Sequence, residues 1–341
     1  MVWLMNRARA NPAAEGVFLT ATGDPDVDYA IRFFGVNSIQ LLAEFAALEP
    51  KPPAVFDRRL YEGSRQHSLF MIQQNNQTHD GQFNRLKAGG FSYSNAAVSI
   101  FAYSENAVHS HAGLNIDWGN DDPPDNDGMQ AGRGHRVALM SSGAPVYSNV
   151  GFALVPETDP ATRLGPLVFS GVYCQANEEA VDHYNRFLTG TVWTDNNLNQ
   201  RYDPGEGLNH VRVQPDRGPW HAVTGAAGGW AIPATSTGTW TLTYSGGAVG
   251  IPFTRTATVG EVSVLLDTAV FPTLPPLVLT ARPGQGNQLI LEWTGGRGPY
   301  QVQETANLAL GPWINVGSAT AATTLTVTAS GPQRYFRVTG S

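Results

Sequence analysis

Cysteine, lysine and long apolar runs are scarce in this chain of 341 residues. Its one cysteine, Cys174, excludes an internal disulfide, and the apolar residues around it predict a buried strand with a structural thiol. Lysine occurs only at Lys51 and Lys87, and the net charge is −7. Because phosphate binding requires a basic surface, this balance argues against a nucleic-acid partner. No apolar run reaches the roughly 18 residues of a membrane span, so none is predicted.

The residues that are abundant predict several small domains. Hydrophobic residues make up 42% of the chain, which is enough for packed cores, and the 37 glycines and 23 prolines favour short strands and many turns. No signal peptide is visible, and the first residues, 1–5, have the pattern of the middle of an amphipathic helix. We therefore expect that the true start lies upstream and that a leader segment is missing.

The first half of the chain mixes helical and strand patterns. Helical periodicity predicts helices over 2–15, 38–48, 57–74 and 128–142, and apolar runs predict strands over 148–155 and 165–174. Helices that come first and strands that come late favour an α+β fold for residues 1–185. An acidic stretch at 117–128 interrupts this region, and we interpret it as a solvated insertion, with a calcium site as the alternative.

The second half has no helical pattern. Alternating strands separated by Gly, Pro, Asp and Asn predict an all-β sandwich of about seven strands over 187–271. A proline-rich stretch at 271–276 has the composition of a semi-rigid spacer. Beyond it, alternating strands predict a second all-β sandwich over 276–341. The chain is thus expected to be multidomain, with an N-terminal α+β domain followed by two all-β sandwich modules.

Four short motifs in a fixed order resemble a known family. They are Asn-Arg-Ala-Arg-Ala-Asn-Pro at 6–12, Thr-His-Asp-Gly at 78–81, Ser-Glu-Asn at 104–106 and Gly-His-Arg at 134–136. As an ordered set they resemble the CAP superfamily (SCP/PR-1-like) in its bacterial, disulfide-free form. The resemblance covers about residues 1–180. It implies an α-β-α sandwich with a central cleft that holds two histidines and two acidic residues.

The resemblance also implies which residues form this cleft. Matching motif by motif gives His79 and His135 as the histidines and Glu105 as the first acid. Asp117 is the best match to the second acid, although the neighbouring tryptophan is displaced from the family pattern. His109 is a second-tier candidate, because it lies four residues after Glu105 and shares its face on a helix. Two further histidines are expected outside the cleft, with His67 packed on its helix and His111 exposed or at a helix end.

The residue types of this cleft leave its chemistry open. Two imidazoles and one or two carboxylates can hold zinc with an open position, or can act as general base and acid without a metal. They can also bind a small molecule, a lipid or a cell-surface ligand without any reaction. No nucleophile motif of a known hydrolase class is present. We therefore place ligand binding first, a metal-dependent hydrolase using His79, His135 and Glu105 second, and a structural adhesin with an inert cleft third.

The two β modules resemble bacterial surface domains. Gly-Thr-Val-Trp-Thr-Asp at 190–195, with 202–208 and 227–230, is similar to Cna-B or SdrD-B modules. Gly-Pro-Trp-Ile-Asn-Val-Gly at 311–317 with Tyr-Phe-Arg-Val at 335–338 is similar to fibronectin-III-like repeats. These resemblances imply an extracellular or cell-envelope protein.

One loop of the first β module has the ligand spacing of an EF-hand loop. Positions 1, 3, 5, 9 and 12 of the segment 195–206 carry side-chain oxygens, the carbonyl of Arg201 is at position 7, and Gln200 replaces the usual glycine at position 6. The sequence therefore predicts a calcium loop between strands, with a polar loop held by Asx turns as the alternative. Weak calcium binding fits extracellular conditions. The predicted side-chain ligands are Asp195, Asn197, Asn199, Asp203 and Glu206.

Overall fold

The computed structural model describes residues 1–119, 127–270, 275–331 and 333–340. The chain divides into two compact units, Met1–Val270 and Phe271–Ser341. The first unit contains both of the ranges 1–185 and 187–271 that the sequence predicts as domains, and the second corresponds to the last module. Residues 120–126 of the acidic stretch and residues 271–274 of the proline-rich spacer lie outside the described residues. No helix in the described ranges is long and apolar enough to cross a membrane.

The helices of the first unit precede or flank one sheet. The described residues form α1 Val2–Ala10, α2 Pro12–Leu19, α3 Pro25–Phe34, α4 Ser38–Ala46, α5 Arg58–Gln74, α6 Gln82–Ala88, α7 Ala107–Ala112 and α8 Gly134–Met140. The prediction of a single helix over 2–15 is wrong, because one helix ends at Ala10 and another begins at Pro12, with Asn11 between them. The residue before a proline is disfavoured in the helical region, and here the Asn11 side chain caps α2 by accepting the Ala14 N–H at 3.1 Å.

The same region of the chain contains a four-stranded sheet. Its strands are β1 Val55–Phe56, β2 Tyr93–Ser104, β3 Asn149–Pro156 and β4 Leu167–Ala176, in the order β1-β3-β4-β2. The 12-residue strand β2 contradicts the expectation that strands occur only late in this region. Helix α5 packs on β3 where a Cβ added to Gly151 would stand 2.1 Å from the backbone of Leu60. The helices and this sheet confirm an α+β N-terminal region, and Cys174 is buried in β4 as predicted.

The rest of the first unit is all-β. It contains β5 Phe187–Trp193, β6 Arg212–Pro215, β7 Ala222–Val223, β8 Gly229–Pro233, β9 Gly238–Gly246, β10 Val249–Val259, β11 Val264–Leu265 and β12 Thr268–Ala269. One sheet has the order β10-β9-β6-β7. In the other, β11 and β12 pair in succession with β5, both parallel to it, and β8 pairs with β5 antiparallel. Apolar side chains including Val192, Trp240, Leu242 and Tyr244 form its core.

Direct contacts join the α+β and all-β parts into one unit. The ring of Tyr184, which precedes the all-β part, packs on Trp220 within it, with ring centroids 5.4 Å apart. The ring of Trp3 in α1 packs on Tyr202 of the predicted calcium loop, with centroids 5.2 Å apart. These contacts explain why the chain does not separate near residue 186.

The second unit is also all-β. Its strands are β13 Val278–Pro283, β14 Gln288–Thr294, β15 Gln301–Thr305, β16 Ile314–Asn315, β17 Thr324–Thr328 and β18 Tyr335–Thr339. They form two three-stranded sheets, β13-β14-β17 and β16-β15-β18. Trp293, Tyr300 and Val302 are among the buried residues of its core. The finer likeness of the β modules to Cna-B and fibronectin-III types stays a prediction.

Candidate functional site

Asp117 and His135 are in direct contact. Asp117 ends a π-helical segment, Gly113–Asp117, in a left-handed conformation (φ 58°) and is 1% exposed. Its Oδ2 accepts the backbone N–H of His135 at 2.9 Å, and its Oδ1 lies 2.6 Å from His135 Nδ1. Because a carboxylate only accepts, Nδ1 carries the proton in the neutral imidazole. The Nε2 lone pair of His135 is therefore available to a ligand, on a ring that is partly exposed.

His79 has the same arrangement with a different partner. Its Nδ1 lies 2.6 Å from Oε1 of Gln82, a side chain that is 2% exposed. The amide orientation of Gln82 is fixed, because its Nε2 donates to the Ser170 hydroxyl at 3.0 Å and to the Ser99 carbonyl at 3.3 Å. His79 Nδ1 is therefore the donor, and its Nε2 has no hydrogen-bond partner among the described residues. Sequence reasoning missed Gln82, and the only signal was its position three residues after His79.

A buried histidine holds the turn that carries His79. Nε2 of His67 lies 2.9 Å from the Thr78 carbonyl, and Arg85 donates to the Asp80 carbonyl at 2.8 Å while stacking over the Phe70 ring. Burial lowers the pKa of His67 to about 4, against the opposing effect of the Thr78 carbonyl. His67 is thus packed as predicted, and as a neutral donor it fixes the turn 78–81.

Buried polar groups of the sheet connect the surroundings of Gln82 with those of Asp117. Gln82 contacts Ser99 of β2 and Ser170 of β4. The hydroxyl of Tyr173 in β4 faces that of Ser99 without a regular hydrogen bond. Burial raises the pKa of Tyr173, and the nearby charge of Asp117 raises it further. Buried polar groups that lack a regular partner call for an explanation, and a catalytic role is one of those that such groups have in proteins.

Glu105 is not joined to the histidines of the predicted cleft. Its side chain is exposed and forms no hydrogen bond or ion pair with His79 or His135 in the described structure. Its contact with His109 runs through its backbone N–H, which donates to His109 Nδ1 at 3.1 Å. The His109 ring packs against Phe101 and Trp118, and burial lowers its pKa.

His111 lies in the last turn of α7, at a helix end as one of the two expected alternatives has it, but the other alternative, exposure, is wrong. Its side chain is fully buried, and its Nε2 lies 2.8 Å from Oε1 of Glu15, which also pairs with Arg7 at 2.7 Å. Burial works against ionisation of Glu15, yet the hydrogen bonds from His111 and Arg7 keep its pKa below the ordinary value. Three helices are held together by this buried polar group, so the role of His111 is structural.

The predicted calcium loop is closed by its own acidic side chains. Asp195 accepts the Asn199 and Gln200 N–H groups at 3.1 and 2.9 Å, and Glu206 accepts those of Asn196 and Asp203 at 2.8 and 2.9 Å. Asp195 and Glu206 are only 1% and 6% exposed, and neither forms an ion pair with a described basic residue. Positions 1 and 12 of the loop therefore bring two buried carboxylates to its base.

Position 6 of the loop adopts the expected backbone conformation although it is not a glycine. Gln200 adopts the left-handed conformation, with φ 60°, that glycine normally supplies at this point. Asn197 and Asn199 accept the N–H groups two residues on, at 3.1 and 2.7 Å, and both donate to Asp203 Oδ2 at 2.7 Å. This is a chain of Asx turns with the spacing of an EF-hand loop.

In the part of the chain that the structure describes, no group of three or more His, Cys, Asp or Glu side chains is arranged to hold a metal ion. A zinc site with three protein ligands therefore does not fit the predicted cleft, where only Asp117 and His135 are in contact. In the loop at 195–206, calcium would depend on the amide and carbonyl oxygens of Asn197, Asn199 and Arg201 as well as on the carboxylates.

No protein-family model and no curated protein sequence matches the chain. Among solved structures, an extracellular protein containing an SCP domain from Bacillus anthracis has 15% identity and a TM-score of 0.27. The match covers 45% of this chain and 44% of that one, so the chain spans less than half of that protein.

Two matches from Bacteroides are weaker still. A DUF3823 family protein from Bacteroides ovatus has 14% identity and a TM-score of 0.20, with 45% of this chain and 89% of that chain covered. A candidate carbohydrate-binding protein from Bacteroides uniformis has 10% identity and a TM-score of 0.20, with 46% and 79% covered. Similarities this low carry no argument about function, which must come from the chain's own residues.

Proposed function

We propose that this is an extracellular ligand-binding protein whose α+β part binds a small molecule, a lipid or a cell-surface component at the region of His79 and His135. One observation carries the proposal: each imidazole is held through Nδ1 by a buried oxygen, so that each presents a free Nε2. A neutral Nε2 accepts a hydrogen bond from a hydroxyl or an amide, and a protonated one donates to a carboxylate or phosphate. Held in this way, the rings can bind without a large loss of conformational entropy.

We further propose that the loop at 195–206 binds calcium and stiffens the support of this region. Asp195 and Glu206 are buried without a basic partner, and only backbone N–H groups offset the cost of burying their charges. A divalent cation would lower that cost further. The side-chain oxygens at alternate positions and the left-handed Gln200 support the loop geometry. The structural-adhesin alternative keeps this calcium loop and lacks only the ligand.

Binding can be tested by co-sedimentation of the full chain with two probes, phosphatidylcholine vesicles and purified bacterial cell walls. We expect one of the probes to retain the wild-type protein and to lose it on the double change His79→Gln and His135→Gln. His221→Gln is the matched control, because His221 is exposed in the all-β part. Equal retention of the double variant and the wild type, or no retention of either, would contradict the proposal.

A second candidate function, hydrolysis, is favoured by the Asp117–His135 contact alone. A carboxylate that orients an imidazole through Nδ1 is the arrangement by which a histidine acts as general base. We derive no metal-dependent step, because the described side chains supply no zinc set. Hydrolysis of p-nitrophenyl acetate above the background rate, lost on Asp117→Ala, would favour this function. Equal rates for the wild type and Asp117→Ala would contradict the hydrolytic function.

A further inference from the structure

A cavity of about 820 Å³ lies inside the first unit, between the start of α1, the edge of the four-stranded sheet and strands β5 and β8. This volume is within the range of small-molecule sites, roughly 300–1,000 Å³. Aromatic side chains of Trp3, Phe56 and Tyr202 line it together with small residues. None of the predicted cleft residues lines this cavity, so its occupant is distinct from the ligand of His79 and His135, although Tyr202 of the loop at 195–206 lies on the wall.

One carboxylate, Asp267, stands out on the cavity wall. Its Oδ1 accepts the Thr191 N–H at 2.8 Å, and the indole N–H of Trp3 lies beside it, buried and without a regular hydrogen-bond partner. Asp267 forms no ion pair with any basic side chain in the described ranges. Burial raises the pKa of Asp267 to about 6, so the group is charged at pH 7.5 in mainly apolar surroundings.

Two of the other polar side chains of the wall, Asn6 and Thr189, are already satisfied. The Asn6 amide exchanges two hydrogen bonds of 2.9 Å with the backbone of Ala54. The Thr189 hydroxyl donates to the Trp230 carbonyl at 2.7 Å. The indole N–H of Trp230 has no hydrogen-bond partner among the described residues, but it carries no charge. A ligand with one cationic group would therefore find its charged partner in the carboxylate of Asp267.

We propose that this cavity binds an organic ammonium compound with an aromatic or apolar body. The ammonium group bonds to Asp267, and the body packs against Trp3, Phe56 and Tyr202, where aromatic faces also attract the cation. The remaining titratable groups on the wall are the Tyr202 hydroxyl and the amino group of Met1. Neither is a carboxylate, so Asp267 alone supplies the negative charge.

The test is calorimetric titration of the full chain with 2-phenylethylammonium at pH 7.5, with neutral 2-phenylethanol as the matched probe. For a compound of this size we expect a Kd on the order of 1 mM. We expect the alcohol to bind about tenfold more weakly, and the Asp267→Asn variant to lose about the same factor for the ammonium probe. At pH 5 the wild type should lose affinity as well, because protonation removes the charge of Asp267 and adds a positive charge at the Met1 amino group, whose pKa burial lowers to about 6. The loss that Asp267→Asn shows at pH 7.5, where the Met1 amino group is mainly neutral, is due to the carboxylate alone. The control Asp216→Asn, an exposed acid in the same β part, should bind as the wild type does.

A second variant separates loss of the site from loss of the fold. A Cβ added at Gly225, which lines the cavity, meets no atom within 4 Å, so Gly225→Leu fills space without strain in the backbone. We expect it to weaken the ammonium probe while the melting temperature stays at the wild-type value. Unchanged affinity in both Asp267→Asn and Gly225→Leu, or equal affinity for the ammonium and the alcohol, would overturn the proposal.

Discussion

The calcium loop gives the sharpest prediction, which is that Asp195→Ala abolishes stabilisation by calcium. An extracellular module binds calcium with a Kd of roughly 10⁻⁴ to 10⁻³ M, so about 10 mM free calcium is ten to a hundred times the Kd. Binding to the folded state alone then adds about 1.4 to 2.7 kcal/mol to the free energy of unfolding. For a unit of this size that is a rise in Tm of roughly 3 to 10 °C. Without Asp195, position 1 of the loop has no ligand, and the rise should disappear.

The assay is differential scanning calorimetry of the full chain in 10 mM calcium chloride and in EGTA. Magnesium at the same concentration is the ionic-strength control, and Asp216→Ala is the control variant, because Asp216 is exposed and pairs only with Arg217. A wild-type Tm that does not change with calcium would refute the loop assignment. An equal calcium effect in Asp195→Ala would show that the cation binds elsewhere.

Three further predictions concern packing and protonation. Asp117→Ala should remove the slowly exchanging Nδ1 proton signal of His135 in proton NMR, because the acceptor that fixes the tautomer is gone, and an unchanged signal would contradict the assigned contact. As the pH falls from 6.5 to about 4, the free energy of unfolding of the first unit should decrease, because the unfolded chain protonates His67 while the folded chain keeps it neutral. Urea titrations across this range measure the effect. In His67→Gln the free energy of unfolding should depend less steeply on pH. Gly151→Ala should cost about 3 kcal/mol of stability or more in the same titrations, since the added methyl group overlaps the backbone of α5, and a cost below 1 kcal/mol would show that α5 does not pack this closely.

One prediction tests whether the modules are coupled. Tyr202 belongs to the calcium loop and packs on Trp3, so Trp3→Ala should weaken calcium binding although Trp3 offers no oxygen ligand. Calorimetric titration with calcium measures the effect, expected at severalfold, and Trp313→Ala in the second unit is the matched control. Identical calcium affinity in wild type and Trp3→Ala would contradict the coupling without contradicting calcium binding by the loop.

Sequence patterns predicted long and periodic elements well and short or polar ones poorly. Helix α5 begins one residue after its predicted start and ends at the predicted residue, because Asp57 caps it and its apolar face is regular. Strand β2 was missed, since it lies at the edge of its sheet and its exposed face carries Ser94 and Asn95, which do not alternate with apolar residues. Helix α6 was missed because seven mainly polar residues carry too little periodicity.

The candidate site shows the same limit at the level of side chains. The motif order named Asp117 and His135 as members of one cleft, and the structure places the two side chains in contact although 18 residues separate them in sequence. It gave no information on Glu105, whose carboxylate points to solvent, because a motif fixes the backbone turn and not the side-chain direction. Gln82 and His67 support His79 through contacts that depend on tertiary packing, and no local spacing rule predicts them.

The parallel pairing of β5 with β11 and β12 has a mechanical consequence. Residues 187–193 enter the all-β part from the α+β part, and the strands that leave it run beside them in the same direction. Tension between the two ends of the chain would pull these neighbours past each other, so their hydrogen bonds would be loaded together instead of opening one after another. A protein held at one end to a surface and at the other to its ligand would resist stretching best at this ladder.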